Sequence, residues 1–392
     1  MSTRHVDGEP RLLISRAALR HNLSLIRKQT SGNVAICAMV KADAYGHDAD
    51  IVARTLCSAQ PDAPDHRPVE HLGVATIEEG LALPLRDRPI HVFRPLENVF
   101  AGSQSGLVRA AIDAGLILTL LTPGAAVDLA RIAQQHGKRA LVQVMIDTGM
   151  TRCGAAPEHA VRTIERVVSL PPLRLQSVCT HFATADEPAS AFVAEQLLRF
   201  DAAIQLAGLL GVPRHAANSG AVFFQSRTHY DMVRPGISLY GIDPTGRCSI
   251  ERPLRPVAKW LAPLIAVHSI AAGTTVGYSR TWTAPRDSRI GLVPVGYADG
   301  YLRAFGNRAV MIVAGRVCPV VGRVSMDLAT IDLTDVPDAD VGDDVVVMDS
   351  DPLSPCSVYR LAEWMGTIPY EVLTRIGPRV RRVAVDPDDL LV

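Results

Sequence analysis

The sequence predicts an α/β fold in two parts, a (β/α)8 barrel over residues 10–245 followed by a mostly β domain over residues 246–392. Three observations carry this. Short apolar runs alternate with helix-period stretches through the first part. Unusual polar residues fall at the ends of those apolar runs. Beyond about residue 245 the long helical patterns stop, and short strands recur between Gly, Pro and Asp turns.

In order, Ser15 before RAALRHNLSLIRKQ reads as the N-cap of a first helix. VAICAMV (34–40) is apolar, partly β-branched and of strand length; it ends abruptly in Lys41 and a polar, tyrosine-containing loop. DADIVARTLCSA reads as a helix, and QPDAPDHRPVEH (60–71) as an exposed Pro- and Asp-rich insertion. LGVAT is a strand, followed by a helix IEEGLALPLRD that Pro84 bends or ends. PIHVF, LILTLL, ALVQVMI and LRLQSVCTHF are further strands, each followed by a helical pattern; PGAAVDLARIAQQHG carries Pro and Gly at its two ends. VPRHAAN and YDMVRPG complete eight units. Periodicity alone also permits a doubly wound open sheet. The strand ends favour a barrel: Lys41, Asp147, His181, Asn218, Ser219 and Arg234 would all converge on the C-terminal face, where sites of this fold lie.

The second part offers PLIAVHSI, RIGLVPVGY, AVMIVAG, RVCPVVGRV, ATIDLT and DDVVVMD as strands, then a short helix at VYRLAEWMG and a tail from about 370. Over the whole chain 40 basic residues balance 40 acidic ones, which gives no argument for nucleic acid or an anionic membrane. Seven scattered cysteines without a C-x-x-C pair argue against a disulfide framework or a metal site and fit a cytoplasmic location. No run has the length of a signal peptide core or a membrane span.

Lys41 is the first candidate for chemistry. An ammonium at the end of a buried strand is costly to desolvate, and the interior favours the neutral amine that a Schiff-base lysine needs. Structural and catalytic readings both stand on chemistry alone. The run VKADAYGH around it resembles the cofactor-lysine motif of the pyridoxal-phosphate-dependent alanine racemases. DTGMTRCG (147–154), THFATADE, HAANSG, MVRPGISLYG, GTTVGYSRTWTA, VGRVSMDLATID and PYEVLTRIGPRVRRV extend the likeness over residues 12–383.

The resemblance implies that Lys41 carries pyridoxal 5'-phosphate and acts as one acid/base group, with Tyr278 as the second, working in the partner subunit's site of a homodimer. It further implies Tyr45, Ser219, Gly236, Ile237 and Tyr370 at the cofactor phosphate, with His215 behind Ser219, and His181 against the cofactor ring. Arg234 would lie at the ring nitrogen and Arg152 between the phenolic oxygen and the substrate carboxylate. Tyr297 and Met326 would border a small amino-acid pocket, with Asp186, Arg303 and Arg323 at its entrance. Without the likeness, each of these is an ordinary surface or core residue. The implied activity is interconversion of L- and D-alanine, supplying D-alanine for peptidoglycan. A racemase of broader or serine-type preference and a non-catalytic cofactor-binding protein remain as alternatives. Two positions depart: Pro369 stands where asparagine is common, and Met145 where many members have a carbamylated lysine that braces the arginine. Methionine supplies no charge, so water, an anion or another side chain is expected to position Arg152.

Overall fold

A parallel strand covered on both faces is apolar at nearly every position, and AICAM, HLGV, ILTL and ALVQVM are buried along almost their whole length. The computed structural model describes residues 9–59, 67–96, 104–208 and 211–386. In chain order these form β1 (Arg11–Ser15), α1 (Arg16–Gln29), β2 (Ala35–Met39), α2 (Lys41–Gly46), α3 (Ala49–Cys57), β3 (His71–Val74) and α4 (Ile77–Ala82). Then come β4 (Ile90–Pro95), α5 (Gln104–Asp113), β5 (Ile117–Leu120), α6 (Pro123–Gln135), β6 (Ala140–Met145) and α7 (Pro157–Ser169). The first part ends with β7 (Leu173–Cys179), α8 (Phe192–Leu206), β8 (Arg214–His215), α9 (Ser219–Phe224) and β9 (Met232–Val233). Strands β2 to β9 close into an eight-stranded parallel barrel, with β9 returning to β2. The open-sheet alternative is thereby removed.

Local signals explain the helix boundaries. Thr122 Oγ1 accepts from Ala125 N at 3.2 Å and Pro123 opens α6. Helix α4 stops at Ala82, before Pro84, as expected from its ring. Most of the insertion at 60–71 lies outside the described residues.

The chain divides into two units: residues 22–44 with 52–239, and the described parts of 1–21, 45–51 and 240–392. The second contains β10 (Ala258–Pro263), β11 (Ala266–Ile270), β12 (Thr275–Val276), β13 (Trp282–Thr283), β14 (Ser288–Val293), β15 (Val310–Val313) and β16 (Arg316–Pro319). It continues with β17 (Ala329–Asp332), β18 (Asp344–Met348), α10 (Val358–Met365), α11 (Pro369–Thr374) and β19 (Arg381–Val385). Its six-stranded sheet runs β16-β15-β18-β10-β1-β19. Strand β1, which sequence reading passed over, sits inside this sheet: Leu13 pairs with Lys259 on one side and Val383 on the other.

Buried polar side chains of the barrel strands satisfy one another. His91 Nδ1 lies 2.8 Å from Gln143 Oε1, and Gln143 Nε2 donates to Thr119 Oγ1 at 2.8 Å. A carbonyl oxygen only accepts, so His91 carries its proton on Nδ1 and its Nε2 accepts from His71 Nδ1 at 3.1 Å. Burial, helped by His71, pushes His91 down to about 3, and burial with Arg234 holds His215 well below the ordinary histidine range. Folded protein therefore keeps these rings neutral, while the unfolded chain protonates them below about pH 6.5. Stability is whole above that pH and falls as pH drops through the window down to about 3 for His91, by up to about 1.4 kcal/mol per pH unit for each ring. The urea midpoint is expected to drop between pH 7.5 and 5, less steeply in His91→Gln. Equal slopes for the two proteins would refute this.

Candidate active site

Lys41 follows β2 and opens α2. That turn is left-handed, with φ of 53° at Ala42, 51° at Asp43, 52° at Ala44, 56° at Tyr45 and 84° at Gly46. Gly46 has a steric reason as well, because an added Cβ would stand 2.3 Å from Leu373 O. Burial lowers the Lys41 pKa, as does the Arg152 guanidinium; Glu79 opposes them, and Arg234 adds to the lowering. The lysine is thus biased toward the neutral amine.

Arg152 is presented by the turn after β6. Asp147 Oδ1 accepts from Gly149 N at 2.8 Å and Thr151 N at 3.1 Å, and the Ile146–Ala155 bridge closes the base. An added Cβ at Gly154, whose φ is 140°, would lie 2.6 Å from Asp147 N, so glycine is required there. Arg152 is exposed, and among the described residues it makes no hydrogen bond or ion pair. Met145, at the end of β6, is 5% exposed.

Arg234 follows β9 and is 4% exposed. One terminal nitrogen, NH2, donates to Thr180 O at 2.7 Å and Ala216 O at 3.1 Å, and lies 3.3 Å from His181 Nδ1. NH1 donates to His215 Nδ1 at 2.8 Å. His215 then carries its proton on Nε2 and donates to Ser177 Oγ at 3.0 Å. His181, next after Thr180 beyond β7, is held well below the usual range by burial, then by Arg234, Arg152 and Lys41. Lys41, Arg152, His181 and Arg234 therefore share one electrostatic neighbourhood. Nearby, Ser219 Oγ accepts from Gly236 N at 2.9 Å and Ser238 N at 3.4 Å, tying α9 to the turn that holds Ile237. Ser238 Oγ is buried without a partner among the described residues. Sequence reading missed Ser238; its place directly after Gly236-Ile237 was the available signal.

In the second unit, Tyr45 packs its ring 4.9 Å from Tyr240 and 6.2 Å from Tyr370, so two expected phosphate contacts lie together. Tyr278 is 71% exposed on a turn where Gly277, Ser279 and Arg280 all have positive φ, and Arg323 NH1 donates to Ser279 Oγ at 2.8 Å. Tyr297 and Met326 are also exposed, and Ala298 N donates to Met326 O at 3.0 Å, holding their loops side by side. Arg379 bridges Asp299 and Asp327, both at 2.8 Å. Arg303 and Asp186 lie on other segments.

Among the described residues there is no metal-holding cluster, and no helix is long and apolar enough to cross a membrane. The family model for the alanine racemase N-terminal domain matches residues 14–244, and that for the alanine racemase C-terminal domain matches 257–384. An alanine racemase of Chlorobaculum tepidum is 37% identical over 376 residues, covering 95% of this chain and 94% of that one. The solved alanine racemase from Streptomyces coelicolor A3(2) has a TM-score of 0.85 at 33% identity, covering 97% and 98% of the two chains. A crystal structure of alanine racemase from Bartonella henselae with covalently bound pyridoxal phosphate has a TM-score of 0.81 at 26% identity, covering 96% and 99%. Fold, strand-end residues and relatives agree: the chain belongs to the alanine racemase family.

Proposed function

We propose that this protein interconverts L- and D-alanine by a two-base mechanism, with Lys41 and Tyr278 as the bases. The observation that carries it is the cluster at the barrel strand ends, where Lys41, Arg152 and Arg234 depress one another's or His181's proton affinity. Such a cationic set suits an anionic ligand. The unpartnered Ser238 Oγ beside Ser219 fits a phosphate that accepts its proton. The residues present therefore fit pyridoxal phosphate: Lys41 would hold it covalently, Ser219, Gly236, Ile237, Tyr45 and Tyr370 would hold its phosphate, and Arg234 its ring nitrogen.

The bound cofactor supplies the electron sink that acidifies the substrate's α-carbon. Lys41 Nζ, released when the substrate's amine takes its place and biased toward the neutral amine, would take or return the proton on one face. The phenol oxygen of Tyr278 serves the other face, and inversion follows because the removing and returning groups stand opposite. Arg152 orients the substrate carboxylate, and Tyr297 and Met326 bound the pocket. Arg234 is a permanent cation that donates rather than accepts, so holding the ring nitrogen it would keep that nitrogen unprotonated, which would restrain the sink and favour return of the proton over transamination.

We infer further that Tyr278 works in the partner subunit of a homodimer, supported by its exposure on this chain. Seven cysteines outside any disulfide, two of them, Cys37 and Cys179, pushed up to about 12 by burial, support a reducing cytoplasm. D-alanine made there supplies peptidoglycan. Incubation with L-alanine and pyridoxal phosphate in deuterated water is expected to yield D-alanine with deuterium at the α-carbon. Cofactor-loaded protein giving no D-alanine would overturn the reading; faster turnover of L-serine would move it to the serine-type alternative.

A further inference from the structure

Among the described residues, the longest run of positive-φ backbone begins one residue after Lys41. Residues 42–46 all have positive φ, a conformation that costs L-residues roughly 1–2 kcal/mol each and persists only where surroundings impose it. The first amide of this turn is gripped from elsewhere: Ala42 N donates to Glu79 Oε1 at 2.9 Å. The other carboxylate oxygen, Oε2, accepts from Ala75 N at 2.6 Å and Thr76 N at 3.2 Å. Glu79 N donates back to Thr76 Oγ1 at 3.1 Å, completing a capping box at the start of α4. A capping box needs the contact to the N-cap amide and no other. The bond to Ala42 is surplus to helix initiation, and it ends beside the lysine. Glu79 also acts on Lys41 as a negative charge, against burial and two guanidiniums.

We propose that Glu79 is the positioning residue of Lys41, its carboxylate clamping the left-handed turn to α4 and so fixing where the lysine side chain leaves the backbone just beyond β2. This rests on the assignment of Lys41 as cofactor lysine and base. The clamp needs a carboxylate because three backbone N–H groups share two oxygens. Glutamine has one acceptor oxygen and places N–H groups where the other stood. Whichever way its amide turns, either Ala42 or the Ala75–Thr76 pair loses its acceptor. Glu79→Gln is thus a nearly isosteric break. Thr76→Ala is the control, since it removes the other half of the capping box and leaves the Ala42 contact in place.

The test is amide hydrogen exchange across residues 40–48 of the cofactor-loaded enzyme, alongside kcat and KM for L-alanine. For Glu79→Gln we expect exchange over 42–46 about tenfold faster or more. We also expect kcat lower by roughly 10–100-fold, with KM changed by less than about threefold. Thr76→Ala should stay close to wild type in both readouts. Unchanged exchange in Glu79→Gln overturns the proposal, and so does a Thr76→Ala protein that matches it, because helix capping would then be the whole role. If Glu79→Gln does not fold, Glu79→Asp, one methylene shorter, is expected to show the same faster exchange. Borohydride reduction and peptide mapping of wild-type enzyme separates the two layers. A label on Lys41 upholds the assignment; a label on another lysine overturns it and the catalytic half of the proposal, while the exchange data still decide whether Glu79 clamps the turn.

Discussion

Mixing Lys41→Ala and Tyr278→Phe proteins, each nearly inactive alone, is expected to restore about a quarter of wild-type racemisation. Losing either acid/base group should cost roughly 10²–10⁴-fold. If each site takes its lysine from one subunit and its tyrosine from the other, a mixed dimer has one site lacking both groups and one site lacking neither. Random pairing makes about half the dimers mixed, and about half of their sites whole, which gives the quarter. A tyrosine serving its own chain's lysine would leave every site damaged and recover nothing. The exposure of Tyr278 at 71%, with Met326 at 54% on the same unit, motivates the first outcome. The mixture should be unfolded, refolded and assayed in both directions, so that subunits exchange fully.

The second large effect belongs to Arg234. Replacing it with glutamate sets a carboxylate against the carbonyls of Thr180 and Ala216, which now accept from the guanidinium. Two acceptors face each other, so the new side chain is driven to hold a proton. If Arg234 holds the cofactor's ring nitrogen as proposed, that nitrogen would then meet a group able to protonate it instead of a fixed cation. Racemisation is expected to fall by about 10²–10³-fold, while formation of pyruvate per turnover rises. Measuring D-alanine and pyruvate together checks this; a fall in both to the same degree would show that Arg234 only maintains structure. Arg234→Lys should lie between, since an ammonium cannot keep contacts to two carbonyls and His215 at once.

Much of the architecture could be read from the chain because barrel strands announce themselves. Each is a short apolar run buried on both faces, and the residue that breaks the run, such as Lys41 or Arg234, marks where the strand stops. What escaped reading depends on distant partners. RLLIS (11–15) is too short and too plain to declare itself a strand, and its neighbours β10 and β19 lie far along the chain. The left-handed turn reads as a loop in sequence because alanine and tyrosine have no preference for positive φ and a single aspartate does not announce five such residues in a row; the contact from Ala42 N to Glu79 comes from a segment 37 positions away. Met145 can be recognised as a departure only against the family motif, since a buried methionine in a strand carries no pattern of its own, and in the structure Arg152 makes no hydrogen bond or ion pair among the described residues. The roles of Tyr297 and Met326 came from resemblance alone, since an exposed tyrosine or methionine carries no pattern of its own.

The seat of β1 between β10 and β19 sets the order of events during synthesis. Arg11 pairs with Leu261 and with Arg381, so an early strand waits for almost the entire polypeptide before its sheet can close. The barrel strands have no such wait, since each neighbours the next in sequence apart from the closing pair. Pairings of such high contact order form slowly and leave apolar edges open meanwhile. The second unit is therefore where a ribosome-bound or newly released chain is vulnerable to aggregation. Chaperone dependence should track β1 and β19 rather than the barrel.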